Sequence, residues 1–210
     1  MKLATLAPTA ILLTGLLTPA LADEYQDAVS KAFPGFQILK RSEIKLKDED
    51  NWDPKIYNER AKARPGLAVG RFNSDKIKDF AALIRGSTLI RIPENKANRV
   101  KAESYYEGYL VVCLGMTQGG YECTKLKMDS MRIRRPHRDF LTTISPKTEL
   151  CSILRKFQAP KPKRNPNVGE RGGGPAEITF ATDAIGFFGS DSVIYVLQPD
   201  GMYWECGLGG

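Results

Sequence analysis

Residues 105–128, YYEGYLVVCLGMTQGGYECTKLKM, carry the clearest structural signal in the chain. β-branched and aromatic residues dominate residues 105–114 and 121–128, which is typical of β-strands. The polar, glycine-rich stretch at 116–120 is typical of a hairpin connection. We therefore predict an antiparallel hairpin that turns at residues 117–119.

Strand-like stretches recur on both sides of this hairpin, at residues 36–44, 67–72, 80–85, 178–181, 184–188, 192–197 and 202–206. Three short helices are also predicted, at residues 24–33, 53–63 and 145–157. The first has apolar residues on one face, the second begins at a capping Asp followed by Pro, and the third has apolar residues at helical spacing.

Residues 158–175 form a compositional break, because they are rich in Pro, Gly, Lys and Arg and contain almost no apolar side chains. Such a composition predicts a long basic loop. Together these patterns predict a β-rich α+β fold, with antiparallel sheets, about three short helices and this loop.

The first 22 residues have the three parts of a secretory signal peptide. Lys2 gives a positive start, residues 3–17 are apolar, and Ala20-Leu21-Ala22 puts small residues at the peptidase positions. We expect a periplasmic or secreted mature chain that begins at Asp23 and forms one domain over residues 23–210. No later stretch is apolar over the roughly 20 residues that a membrane-spanning helix needs.

All four cysteines lie after the predicted cleavage site. An even number of cysteines in an oxidising compartment indicates two disulfides, for which three pairings are possible. A turn at residues 117–119 places Cys113 opposite Cys123, at a distance that a disulfide can span. We therefore predict that Cys113 pairs with Cys123, which leaves Cys151 to pair with Cys206.

Residues 70–84, GRFNSDKIKDFAALI, place a polar loop between two strand-like stretches. This stretch resembles the FG-GAP/VCBS type of repeat, in which alternate loop positions offer oxygen ligands to calcium. The resemblance implies a β-rich interaction module and puts Asn73, Asp75 and Asp79 at liganding positions. Arg71 and Lys76 replace an expected Asp and Gly. Because calcium prefers 6–8 oxygen ligands, we expect the loop to keep its shape without metal and the protein to need no cofactor.

Two candidate catalytic features remain. His137 is the single histidine and lies in an arginine-rich stretch, but no Gly-x-Ser-x-Gly motif offers it a nucleophile. We predict a solvated loop histidine. Glu103 and Glu107 are evenly spaced on a predicted strand beside tyrosines, and two carboxylates are what a glycosidase needs. Ordinary solvent-facing glutamates are the alternative interpretation, so the sequence leaves enzymatic activity undecided.

The formal net charge of +7 favours anionic partners. Two basic clusters provide candidate contacts, namely Arg132, Arg134, Arg135 and Arg138, and Arg155, Lys156, Lys161, Lys163 and Arg164. The leading hypothesis is an exported, non-enzymatic envelope protein, such as an inhibitor or immunity-type protein, that binds an anionic envelope component or an acidic protein. Export makes nucleic acid an unusual partner. The alternatives are an envelope polysaccharide hydrolase using the paired carboxylates and a calcium-stabilised structural repeat.

Overall fold

A computed structural model describes the chain at residues 20–45, 63–95, 98–99, 101–127, 129–146, 148–159, 175–189 and 192–207. The helix α1 (Ala20–Ala32) comes first, and a 3₁₀ turn (Arg41–Glu43) follows the first strand. The strands are β1 (Phe36–Ile38), β2 (Leu67–Gly70), β3 (Asp79–Ile92), β4 (Glu103–Gly115), β5 (Tyr121–Lys125), β6 (Met131–Ile133), β7 (Phe140–Ile144), β8 (Thr148–Gln158), β9 (Pro175–Thr179), β10 (Ala184–Phe188), β11 (Val193–Leu197) and β12 (Met202–Gly207). The prediction of a β-rich fold is confirmed.

Within the described residues the strands form two antiparallel sheets of six strands each. The first sheet has the order β1-β3-β4-β5, and β2 also pairs with β3 while β6 also pairs with β4. The second sheet has the order β7-β10-β11-β12-β8-β9. Side chains of both sheets form one buried cluster, so the sheets pack face to face as a sandwich. Members of that cluster include Leu83, Leu110, Val112, Ile185, Phe187 and Tyr195.

The helix α1 covers the other face of the first sheet. Because successive strand residues point to opposite faces, β3 and β4 carry a second apolar set that includes Phe80 and Val111, and it packs against Tyr25 and Val29 of the helix. The helix also protects the edge of the sheet. The amide of Gln26 accepts from the Ile38 N–H at 2.9 Å and donates to the Phe36 carbonyl at 3.2 Å, as a neighbouring strand would.

The β4–β5 hairpin has the predicted register. The Met116 N–H donates to the Gly120 carbonyl at 3.1 Å, which leaves residues 117–119 as the turn. Cys113 therefore lies opposite Cys123, and the predicted disulfide between them is confirmed, with Cα atoms 4.0 Å apart. Cys206 is also disulfide-bonded. The side chain of Cys151, its predicted partner, lies outside the described part.

The helix predictions have three different outcomes. The helix at residues 24–33 is confirmed as part of α1, while the one at 53–63 lies outside the described residues except for its end. The helix at 145–157 is wrong, because this segment forms β8. Both β12 and β9 pair with its backbone, and such pairing outweighs helix propensities, which differ by only about 0.7 kcal/mol per ordinary residue. The basic loop at 158–175 lies outside the described residues, apart from its ends.

The two sheets meet along one side, where β2 lies beside β7. The Thr143 hydroxyl donates to the Val69 carbonyl at 2.8 Å, and the Leu141 N–H donates to the Pro65 carbonyl at 2.7 Å. Neither β6 nor β7 was predicted. Both are short, and β7 obtains its pairing from the distant β10.

Replacement of Gly108 tests the packing of β4 against β6. A Cβ at this position would lie 2.3 Å from Ile133 Cγ1 and 2.8 Å from the Ile84 carbonyl oxygen. We expect Gly108→Ala to lower the free energy of unfolding by about 1–3 kcal/mol, as overpacking does, measured by urea denaturation. Gly86→Ala on β3 is the control, because its nearest contact would be 3.7 Å. Equal losses in both variants would contradict this description of the packing.

Candidate functional site

The site is built around the 3₁₀ turn that follows β1, which we call the Glu43 turn (residues 40–45). The turn closes with the Glu43 N–H donating to the Lys40 carbonyl at 2.9 Å. The Glu43 carboxylate accepts the Lys40 N–H in return, at 3.1 Å. This reciprocal bonding orients the side chain of Glu43 inward, where 8% of it remains exposed.

Two arginines neutralise the buried carboxylate of Glu43. Arg85 of β3 approaches it at 2.7 Å and is equally buried, and Arg135 approaches it at 2.6 Å from the segment after β6. Burial by itself raises the pKa of Glu43, but the Lys40 N–H and the two guanidinium groups outweigh it. The pKa of Glu43 therefore lies below its ordinary value of 4.5, and the group is ionised at neutral pH.

The segment around His137 pairs with the Glu43 turn through its backbone. The His137 N–H donates to the Glu43 carbonyl at 2.8 Å, and the Lys45 N–H donates to the His137 carbonyl at 2.7 Å. The prediction of a solvated histidine is wrong, because this pairing holds His137 at 6% exposure. Burial lowers the pKa of His137, although Asp139 at 3.3 Å opposes that shift. His137 thus has a structural position, and no nucleophile contacts it among the described residues.

Two of the predicted arginines lie beside Tyr105 on the outer face of β4, and a third lies beside Tyr106 on the opposite face, because successive strand residues point to opposite faces. Arg132 and Arg134 bind opposite oxygens of Glu103 at 3.0 and 2.7 Å. Arg132 also lies over the ring of Tyr105, while Arg85 and Arg135 lie over the ring of Tyr106 at 4.5 and 4.9 Å. The side chains of the three predicted arginines remain 50–62% exposed. We call the outer-face surface the arginine–tyrosine patch, composed of Tyr105, Arg132 and Arg134. Arg135 and Tyr106 belong instead to the Glu43 cluster on the opposite face.

The other predicted basic residues are distributed differently. Arg138 is exposed on the segment that continues from the patch. Lys156 lies on β8 in the second sheet, with its ammonium 4.2 Å from the ring of Trp204. The side chain of Arg155 and the residues Lys161, Lys163 and Arg164 lie outside the described part. Of the second predicted cluster, only the side chain of Lys156 is described, and it lies in the other sheet from the arginine–tyrosine patch.

The paired carboxylates are engaged by neighbouring side chains. Both oxygens of Glu103 bind arginines, as described above, and Glu107 accepts the hydroxyl proton of Tyr109. Burial and the Glu107 carboxylate raise the pKa of Tyr109 to about 12, so this hydroxyl remains a donor at neutral pH. These contacts hold each acid in a polar network on the outer face of β4, and they do not favour a hydrolytic role.

The loop that resembles a calcium-binding repeat uses its oxygens for backbone hydrogen bonds. Buried Asp79 accepts N–H groups of Phe72, Asn73 and Gly115. Asp75 accepts the Ile77 N–H at 2.8 Å and the Asn73 amide at 2.8 Å. Lys76 takes the left-handed conformation (φ 66°) that the family gives to glycine. Across the described residues, no group of three or more His, Cys, Asp or Glu side chains could hold a metal ion.

Several basic residues of this region were missed in the sequence. Lys40, Arg41, Lys45, Arg64 and Arg85 come from three separate segments, and no spacing rule connects them. They meet because the chain leaves the sheet after β1 and returns at β2, both beside β3. Their convergence follows only from strand pairing, so the sequence contained no local signal for it.

Comparisons with protein-family models, curated proteins and solved structures gave no match to this chain. In the part of the chain that the structure describes, no helix has the length and apolar character needed to cross a membrane. The fold and the site therefore rest on the geometry given above.

Loss of the Glu43 carboxylate should destabilise the protein strongly. Glu43→Gln leaves Arg85 buried without its counter-charge, which costs about 3–5 kcal/mol when one partner of a buried pair is removed. Glu103→Gln is the matched control, because its arginine partners are more than half exposed and such pairs contribute about 1 kcal/mol or less. Urea denaturation at neutral pH measures both. A larger loss for Glu103→Gln would refute this assignment of the buried pair.

The stabilisation from Glu43 should also depend on pH. Because the pKa of Glu43 is lower in the folded than in the unfolded chain, its contribution is complete above the unfolded value of 4.5 and is lost as the pH falls below it. The stability difference between wild type and Glu43→Gln should shrink as the pH falls from 4.5 through the lower pKa of the folded state, by at most about 1.4 kcal/mol for each pH unit. Unfolding measured at several pH values below neutrality tests this, and a constant difference at acidic pH would contradict it.

Proposed function

We propose that this protein is an exported, non-enzymatic binding protein that recognises an acidic segment of another protein. The observation that carries the proposal is the arginine–tyrosine patch, in which two guanidinium groups are held in place by Glu103 and yet remain 55% and 62% exposed. Such a surface suits a protein that acts as an inhibitor or immunity-type partner of another protein.

The arginines of the patch are oriented before any partner binds. Glu103 holds both Arg132 and Arg134, and the ring of Tyr105 supports the guanidinium group of Arg132. A guanidinium has five N–H donors, so each arginine retains donors for a carboxylate of the partner. Arginine side chains that are already ordered lose less conformational entropy on binding, which favours affinity.

The composition of the patch favours a protein as the partner. Tyrosine and arginine are enriched among the residues that contribute most to protein–protein binding, whereas lysine is depleted in such interfaces. Within the patch, two arginines, Arg132 and Arg134, accompany one glutamate, Glu103. This excess of positive charge, within a chain of net charge +7, favours encounter with an acidic surface.

Two further observations support export. The first 22 residues have the signal-peptide pattern, and the disulfide between Cys113 and Cys123 suits an oxidising compartment. Cys206 is likewise disulfide-bonded. We therefore propose a periplasmic or secreted location for the binding activity.

Affinity capture from a cell-envelope extract tests the proposal. The wild-type protein should retain an acidic protein that high salt elutes, because salt screens exposed charges. Arg132→Ala/Arg134→Ala should weaken that binding by at least about tenfold, since an interface hot-spot residue contributes about 2 kcal/mol or more. Lys31→Ala/Lys101→Ala removes the same charge from exposed positions outside the patch and should bind as wild type does.

Thermal melting should show that both double variants fold, because the ion pairs lost from Glu103 are exposed. Undiminished capture by the arginine variant, or equal loss in the lysine variant, would show that the patch is not the binding surface. Capture of no acidic protein at low salt would refute the proposed partner class.

A further inference from the structure

A second candidate site lies at the edge of the first sheet, at the junction between β1 and β2. The β1 and β2 strands both pair with β3, one after the other, and they meet at Leu83. Leu83 accepts the Leu39 N–H and donates to the Gly66 carbonyl, each at 2.9 Å. Gly66 is needed at this junction because a Cβ there would lie 2.5 Å from the Leu39 carbonyl oxygen. The α1 helix forms the third side of the resulting cleft.

The cleft has a volume of about 580 Å³ and two kinds of wall. This volume lies within the range of about 300–1,000 Å³ that is usual for small-molecule sites. One wall is apolar and includes Tyr25, Ile38 and Leu67, which pack together on the helix side of the sheet. The other carries the cationic side chains of Lys40, Arg41 and Arg64, which are exposed. The lining therefore combines an apolar surface with positive charge.

The neutral polar groups of the cleft are already used by the protein. The amide of Gln26 caps the β1 edge, and the amide of Gln37 accepts from Arg85 at 2.8 Å in the orientation that satisfies both. The cationic side chains are therefore the groups that would bind a polar part of a ligand. Over the described residues, no carboxylate forms an ion pair with Lys40 or Arg64. The cleft differs in this from the arginine–tyrosine patch, where a carboxylate binds the arginines.

We propose that the cleft between β1, β2 and α1 binds a small amphipathic anion, a carboxylate or phosphate ester that carries an apolar chain. The apolar chain lies against Ile38 beside Tyr25 and Leu67, which belong to the cluster on the helix side of the sheet, and its burial there is favourable. The anionic group lies at the rim, where Lys40 and Arg64 donate charge-assisted hydrogen bonds. This site is separate from the arginine–tyrosine patch, and it does not depend on the proposed protein partner.

Calorimetric titration of the purified, disulfide-intact protein with four probes tests the site. Octanoate and octyl phosphate should bind, whereas octanol lacks the charge and inorganic phosphate lacks the chain, so both should bind at least about tenfold more weakly, a difference of about 1.4 kcal/mol. Equal binding of octanol would show that the cations take no part. Equal binding of inorganic phosphate would show that the apolar wall does not contribute to binding. Failure of both octanoate and octyl phosphate to bind would refute the proposal.

Variants locate the binding within the cleft. Lys40→Ala/Arg64→Ala should weaken octanoate binding by about tenfold or more, in line with the loss of charged hydrogen bonds. Lys31→Ala/Arg91→Ala removes the same charge at exposed positions outside the lining and should leave octanoate binding unchanged. Arg132→Ala/Arg134→Ala should also leave it unchanged, which separates this site from the protein-binding patch. The assignment would be overturned if Arg132→Ala/Arg134→Ala weakened octanoate binding, or if Lys40→Ala/Arg64→Ala left it unchanged.

Discussion

The buried carboxylate of Glu43 is the interaction on which this architecture depends. A charge at this depth is costly unless it is paired and hydrogen-bonded. Its partners come from β3, from the segment after β6 and from its own turn. Three distant parts of the chain are thereby held at one point. The same arrangement holds Arg135 over the ring of Tyr106, with half of its side chain exposed.

The edges of the first sheet show a second constraint, the need to satisfy backbone groups where a strand has no neighbour. At β1 the amide of Gln26 takes the place of a strand, and at β2 the sheet continues to β7 through the Thr143 hydroxyl and a backbone hydrogen bond. The junction between β1 and β2 is the position along β3 where the chain leaves the sheet and later returns to it. The cleft with cationic sides lies at that junction because β1 and β2 pair with the same edge of β3.

Patterns of neighbouring residues predicted the structure correctly where the contacts are between residues close together in the sequence. The β4–β5 hairpin, its turn and the Cys113–Cys123 disulfide could be predicted because adjacent strands and a short connection determine the register. The amphipathic pattern at residues 24–33 predicted the helix for a similar reason. The same kind of pattern failed at β8, where the spacing of apolar residues fits a helix but two neighbouring strands pair with the backbone. Burial of His137 was missed because its pairing partner, the Glu43 turn, is far away in the sequence.

By itself the sequence determined the β-rich class, the hairpin with its disulfide, and a positive charge that favours anionic partners. Tertiary structure alone decided which charges act together. Arg132, Arg134 and Arg135 are adjacent in the sequence, yet their orientation depends on Glu103 and Glu43 from other segments. Lys40 and Arg64 meet in one cleft because both lie beside β3. Charge is a property of each residue, whereas a binding surface needs several residues at fixed distances, and long-range strand pairing sets those distances.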